Sequence, residues 1–283
     1  MNSNHPSIWG RMQRIDRRIL YVLLLFVIGV PIFVTIQLPM NINPATRKFH
    51  QSVEAIRPDK LAIVSCGWQA ASQAECKPQT EALLRHLMSR RKRLVVMTFL
   101  PAGSKLSYDI ASRIARETGA EYGKDWIHLG YVAQPTLFMK ALVRDVPAAM
   151  VKDRYGKPVA DYAVMQGIKT INDVDFISEV TGTPLYEYWI QLVVGSSKSL
   201  KYCAALTAVM APECYPLLDS GQLNGLMEGM KGAAEYEKLT EATGRATSAM
   251  GSLSFGHLLI MLLIVVGNVG YLMARRAERE GTR

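Results

Sequence analysis

Two long charge-free apolar runs constrain this chain before anything else does. From Ile19 to Leu38 the sequence reads ILYVLLLFVIGVPIFVTIQL, without a charged residue. From Leu253 to Ala274 it reads LSFGHLLIMLLIVVGNVGYLMA, where only His257 and Tyr271 are ionisable. A helix crossing a hydrocarbon core of roughly 30 Å needs about 20 mostly apolar residues. Both runs have that length, and neither shows the polar face that a core helix of a soluble domain carries. The expectation is two transmembrane helices, at 19–38 and 253–274. The first reads as an uncleaved anchor. Its apolar run exceeds the roughly 7–15 residues of a signal core, and Pro39-Met40-Asn41-Ile42-Asn43-Pro44 has no small-x-small cleavage pattern.

Charge at the borders gives an orientation. The tail 1–18 carries Arg11, Arg14, Arg17 and Arg18 against Asp16, and the tail 275–283 carries Arg275, Arg276, Arg279 and Arg283 against Glu278 and Glu280. Short cationic flanks stay on the cytoplasmic side. A multi-pass protein of the cell (inner) membrane is therefore expected, with both termini cytoplasmic and residues 39–252 extracytoplasmic. That central region is itself basic, with 25 Lys and Arg against 21 Asp and Glu, but long domains translocate largely regardless of charge. Because part of the net +9 belongs to membrane flanks, the lipid bilayer and not nucleic acid is the expected partner. Arg90-Arg91-Lys92-Arg93 reads as a solvated turn at a helix carboxyl end.

Between the runs, apolar patterning alternates in type. Residues 39–60 read as a polar connector, partly helical over Thr46–Ile56, and residues 240–252 as a linker to the second span. Short continuous apolar runs at Leu61–Ser65 and Leu94–Leu100 suit strands buried on both faces, and Trp126–Leu129, Asp175–Val180 and Tyr202–Met210 read as three further strands. Helical spacing separates them over Glu75–Arg91, Ser104–Thr118 (ending at Gly119), Gln134–Val146, Pro184–Val194 and Ser220–Leu239. Residues 150–172 are polar and rich in turn formers. The fold class is α/β: a three-layer sandwich over 61–239 with about five mostly parallel strands, for which the 3-2-1-4-5 order is taken from fold frequency.

The segment from Tyr215 to Glu237, YPLLDSGQLNGLMEGMKGAAEYE, resembles the end of an uncharacterised family of prokaryotic two-span membrane proteins with an α/β extracytoplasmic domain. Trp189-Ile190-Gln191 and His128-Leu129-Gly130-Tyr131 are similar to other points of that family. The resemblance implies the architecture, and with no established activity it transfers no catalytic residue. Within the segment, Gly221, Gly225, Gly229 and Gly232 recur at intervals of four, four and three. On one helix these would form a small-residue face, either lying tightly on the sheet or meeting another subunit. Asn268, flanked by Gly267 and Gly270 in the second span, marks a packed face of the same kind.

Ligands of open parallel sheets bind outside the carboxyl ends of the strands. Candidates there are Ser65-Cys66-Gly67-Trp68, Thr98, His128, Glu179 and Pro212-Glu213-Cys214, of which Cys66, His128 and Glu213 are the low-specificity ligand candidates. No G-x-S-x-G, G-x-G-x-x-G or G-x-x-x-x-G-K-[ST] pattern occurs, so no catalytic residue and no cofactor is assigned. Of the four cysteines, Cys66–Cys76 is the preferred disulfide, with a bridge from Cys214 to either as second choice. Cys203–Cys214 is disfavoured by the strand between them. Zinc on Cys66, Cys76, Cys214 and His128 lacks the C-x-x-C pairs such sites use, and no metal is expected. The function expected is a non-enzymatic, membrane-anchored interaction or assembly subunit of an envelope membrane complex, binding other subunits or itself. The alternative is a membrane-tethered hydrolase or small-ligand-binding domain using the sheet's carboxyl edge.

Overall fold

In the stretch read as a connector, Asn43-Pro44 is a helix start. The Asn43 side chain accepts from the Ala45 N–H at 2.9 Å, and Pro44 stands in the first turn, where no N–H is needed. The helix it opens, α1 (Pro44–Glu54), buries Ala45, Phe49 and Val53 at spacing i, i+4, i+8. Residues 40–60 therefore belong to the domain: the computed structural model groups Met40–Ala246 into one unit and the two ends of the chain into another. It describes residues 16–33, 40–242 and 244–281.

Beyond α1, strands and helices alternate: β1 (Leu61–Gly67), α2 (Gln73–Ser89), β2 (Arg93–Thr98), α3 (Pro101–Thr118), β3 (Trp126–Tyr131), α4 (Pro135–Arg144), β4 (Val174–Thr181), α5 (Leu185–Leu192), β5 (Lys201–Leu206), β6 (Gly225–Glu228) and α6 (Gly229–Leu239). β1 and β4 are buried at every position, so β1 runs apolar over Leu61–Val64 without alternating, while β4 buries the polar Asp175, Ser178, Glu179 and Thr181 among its apolar residues. All pairings are parallel, in the order β3-β2-β1-β4-β5-β6. The order taken from fold frequency is present, with a sixth strand added beyond β5. Helices α1, α2, α3 and α6 pack on one face of the sheet. On the other, α4 and α5 cover Ile63, Met97 and Ile177, and the rings of Phe99, Phe138 and Trp189 meet at 5.7–5.9 Å.

The sixth strand lies inside the segment read as a single helix from Ser220 to Leu239. Gly221 has φ +78° in a turn, Gly225 opens β6, Gly229 has φ +54° at the start of α6, and only Gly232 is inside a helix. The four glycines share no helix face, and the reading of a glycine-striped partner surface is corrected. Four residues of strand are too few for their period to stand out from the helical pattern around them.

Residues 145–173 are ordered by Asp153. Its carboxylate accepts from the Tyr155 and Lys157 N–H groups and from the hydroxyls of Tyr122 and Tyr162 at 2.7–2.9 Å.

In the second unit, the helix Arg245–Gly281 contains Ala246–Met273, the one helix among the described residues long and apolar enough to cross a membrane. Its apolar side chains, Leu262 and Val265 among them, are largely exposed. The helix starts at Arg245, so most of the expected linker 240–252 is helical; Ala, Ser and Thr tolerate helix well enough to extend it. The Asn268 amide donates to the Ile264 carbonyl of its own helix at 2.9 Å. The described part of the first apolar run is the helix Arg17–Phe33, with Pro31 inside it; residues 34–38 of that expected span lie outside the described residues. Gly256 faces Ile28, whose Cγ1 a Cβ there would meet at 3.3 Å.

Candidate functional site

Strand order reverses between β1 and β4, which makes their carboxyl ends the place where a doubly wound sheet opens a crevice. Here the chain's own side chains fill it. Glu179, fully buried on β4 and in register with Ser65 of β1, accepts from the Gly67 N–H at 3.1 Å and from Trp189 Nε1 at 2.8 Å. Burial pushes its carboxyl up to about 8, against the opposing pull of Ser65, Trp189 and the Gly67 N–H. A Cβ at residue 67 would stand 2.2 Å from Glu179 Oε1 and 2.7 Å from Leu185 Cδ1, so the glycine lets the buried carboxyl close on the strand end and any larger residue would have to displace it. The Thr181 hydroxyl donates to the Gly67 carbonyl at 2.6 Å, and Thr98 donates to the Cys66 carbonyl at 2.8 Å. Gly182 lies so close to Ser72 that its Cβ would be 2.6 Å from the serine's, so the loops after β1 and β4 touch.

Where an anion would meet the amino end of α2, the chain places the acidic side chain of Glu75, which accepts from the Ala208 N–H at 2.8 Å. One turn on, Gln79 Nε2 faces the carbonyls of Leu206 at 2.8 Å and Gly229 at 3.0 Å, tying α2 to the ends of β5 and β6. The edge is a polar seam closed from within.

The three ligand candidates occupy separate surroundings. Cys66 is buried against α2, its thiol beside the Thr80 hydroxyl. His128 is buried against α3, with Nε2 2.9 Å from Ser107 Oγ. Glu213 is exposed in the turn after β5, 3.5 Å from the Tyr186 hydroxyl on the opposite face of the sheet. The Ser107–His128 pair has the spacing of a nucleophile and its base, but the proton is on the wrong side. His128 Nδ1 accepts from the Gly130 N–H at 2.8 Å, so Nε2 carries the hydrogen and donates to Ser107, which in turn donates to the Gly103 carbonyl at 2.8 Å. Burial, with Arg154 nearby, lowers His128 to about 3, which keeps it a neutral structural donor.

All four cysteines are buried free thiols. Cys66 and Cys76 lie near one another but both are free thiols, so the preferred bridge is not formed; Cys214 adjoins Tyr186 on the other face, so neither the second-choice bridge nor the zinc set comes together. Burial raises Cys76 and Cys203 to about 12 and Cys214 to about 11, far from the thiolate form that reacts. An aromatic-disulfide reagent is expected to find no thiol in the native protein and four after denaturation without reductant. Two after denaturation would mean that a bridge exists.

A second polar cluster lies at the amino edge, among α1, α2 and α6. His50 and Glu54 are four residues apart on α1, and His86 is in the last turn of α2. His86 Nε2 is 2.9 Å and His50 Nε2 3.9 Å from Glu54 Oε1, and the ligand atoms of all three residues lie within 4.8 Å of one another. The buried Tyr236 hydroxyl is 2.7 Å from His86 Nδ1. Arg90 reaches Glu54 at 3.0 Å from the solvent side. Burial lowers both histidines, more than Glu54 raises them; Glu54 itself is lowered, because His86 and Arg90 outweigh its own partial burial. Two neutral imidazoles and a carboxylate are a donor set that transition metals accept. The sequence signal was the H-x-x-x-E spacing on α1, uninformative until His86, 32 residues on, is brought beside it.

The rest of the basic run is structural. Arg91 reaches Asp125, Lys92 donates to the Ile56 carbonyl, and Arg93 to those of Val164 and Gln166. The chain matches no protein-family model, no curated protein and no solved structure.

Proposed function

We propose that this chain is a non-enzymatic, membrane-anchored interaction or assembly subunit of an envelope membrane complex. The observation that carries this reading is the closed carboxyl edge. Glu179, Thr181, Thr98 and Glu75, with the amide nitrogen of Gln79, spend their polar atoms on the domain's own backbone or core, where an enzyme of this topology would aim them at a substrate. The apolar helix Ala246–Met273 supports a membrane anchor. In this reading the run 19–38 is a second span, the arginine-bordered tails are cytoplasmic, and the domain is extracytoplasmic.

The test is crosslinking in the native membrane followed by purification of the full chain in mild detergent. A defined complex, with itself or with other membrane subunits, is the expected result. A clean monomer that captures nothing overturns the reading. Impermeant labelling of single cysteines placed at Arg14 and Arg279 should fail from outside and succeed after permeabilisation; the reverse pattern overturns the orientation.

A further inference from the structure

We propose that His50, Glu54 and His86 form a binding site for a divalent transition-metal ion of the Zn2+ class, joining α1 to α2 at the amino edge of the sheet. The inference rests on the geometry of these residues and stands independently of the assembly reading.

The backbone has already done most of the work. Residues four apart on a helix project from one face, so His50 and Glu54 point the same way by construction. His86 enters from a different helix, whose position is held by the core below it. Zinc bonds to nitrogen and oxygen are about 2.0–2.2 Å long, so a tetrahedral site separates its ligand atoms by about 3.3–3.6 Å. The two separations measured from Glu54 Oε1, 2.9 Å and 3.9 Å, bracket that range. Closing the site takes one rearrangement. The His50 ring, stacked on His86 with centroids 4.8 Å apart and planes at 17°, must tilt so that both lone pairs meet at one point. His50 lies at the rim of the cluster with its side chain 18% exposed, so the ring can tilt toward the solvent side.

The supporting contacts fit as well. Glu54 is an acceptor, so the hydrogen of neutral His86 is on Nε2 and Tyr236 donates to Nδ1. For a metal to take Nε2 the neutral ring changes tautomer: its single proton moves from Nε2 to Nδ1, and the Tyr236 hydroxyl turns from donor to acceptor of that N–H. Such a hydroxyl orients a metal-bound imidazole from behind. Three protein ligands leave a fourth position toward solvent, as in open zinc sites. Arg90 is the cation that now holds Glu54. Its side chain is 60% exposed, so it can be displaced into water.

The experiment uses the full chain in detergent, stripped with a chelator and titrated with Co2+, which colours a tetrahedral nitrogen–oxygen site. One equivalent should produce visible absorption that Zn2+ abolishes. Zn2+ at a hundredfold excess over its Kd should raise the melting midpoint of the domain by roughly 5–10 °C. His50→Ala and Glu54→Gln, both at partly exposed positions and checked for fold by circular dichroism, should each weaken Co2+ binding by about 100-fold or more. Arg90→Ala removes the competing cation and should tighten binding several-fold, a change that a merely structural cluster would not show. Colourless Co2+, binding untouched by His50→Ala, or weaker binding in Arg90→Ala would each overturn the site.

Discussion

Gly225→Ala is expected to destabilise the domain by about 3 kcal/mol, at the upper end of what overpacking costs, and to lower its melting midpoint by roughly 6–12 °C. The added Cβ would stand 2.3 Å from the Phe49 Cα and 2.5 Å from the Phe49 nitrogen. Those are backbone atoms of α1, and no rotamer change moves them away. The strand and the helix must separate instead, which opens the buried Phe49, whose ring meets Phe176 at 6.0 Å and Tyr236 at 5.5 Å edge-on. Gly221→Ala is the control: nothing lies within 4 Å of its Cβ, and only its φ of +78° is unfavourable, a cost of roughly 1–2 kcal/mol. Denaturant midpoints of the full chain decide the matter. A Gly225→Ala protein as stable as the parent would mean that α1 does not sit on β6 as described.

The second large effect belongs to Glu179 and depends on pH. Its carboxyl titrates near 8 in the folded domain, against an ordinary value of 4.5. Between those two values the folded chain holds a proton that the unfolded chain has lost, so stability falls as pH rises. The domain keeps its full stability with respect to this group below about pH 4.5, loses it progressively to about pH 8, and gains nothing back above that. The expected loss across the window is on the order of a few kcal/mol. Glu179→Gln cannot ionise. It sets an amide NH2 against either the Gly67 N–H or Trp189 Nε1, which costs about 1–3 kcal/mol at every pH, but the slope due to residue 179 should vanish. Histidines lowered by burial act in the opposite direction as pH falls, so the difference between parent and variant isolates the glutamate. Parallel curves from pH 5 to 8.5 would show that Glu179 is ionised in the folded domain throughout.

Much of the architecture was legible because it depends on local pattern. The runs at Leu61, Leu94, Trp126, Asp175 and Tyr202 are strands for the reason their composition suggests: helices cover both faces of the sheet, so no position needs to be polar. The helix within Ala246–Met273 follows from an apolar stretch with no polar stripe. Local pattern misled where an element was short or a neighbour distant. Residues 40–60 looked like a connector because α1 has only a narrow apolar stripe, whose partners, β6 and α6, lie about 170 residues further along the chain. The glycines at 221, 225 and 229 shared a helical spacing by coincidence, each serving a different turn or close approach.

The candidate sites divide in the same way. Glu179 could be assigned to the carboxyl edge from strand order alone, but not its burial or its bond to Trp189, a residue of the next helix. Cys66, His128 and Glu213 shared an edge in the sequence reading, but Cys66 on β1 and His128 on β3 lie on one face under different helices with β2 between them, and Glu213 sits in a turn that meets Tyr186 on the other face. Composition and period are sums over neighbours in the chain, and for this protein they were enough to decide a helix long and apolar enough to cross a membrane and a parallel sheet between helix layers. Which acid is buried, which glycine yields to a backbone and which two histidines share a glutamate depend on residues that meet only after the chain has closed on itself. Those contacts have no local signature, and they were decided by the packing of helices on both faces of the finished sheet: α5 over Glu179, and α1, α2 and α6 around Phe49 and the two histidines.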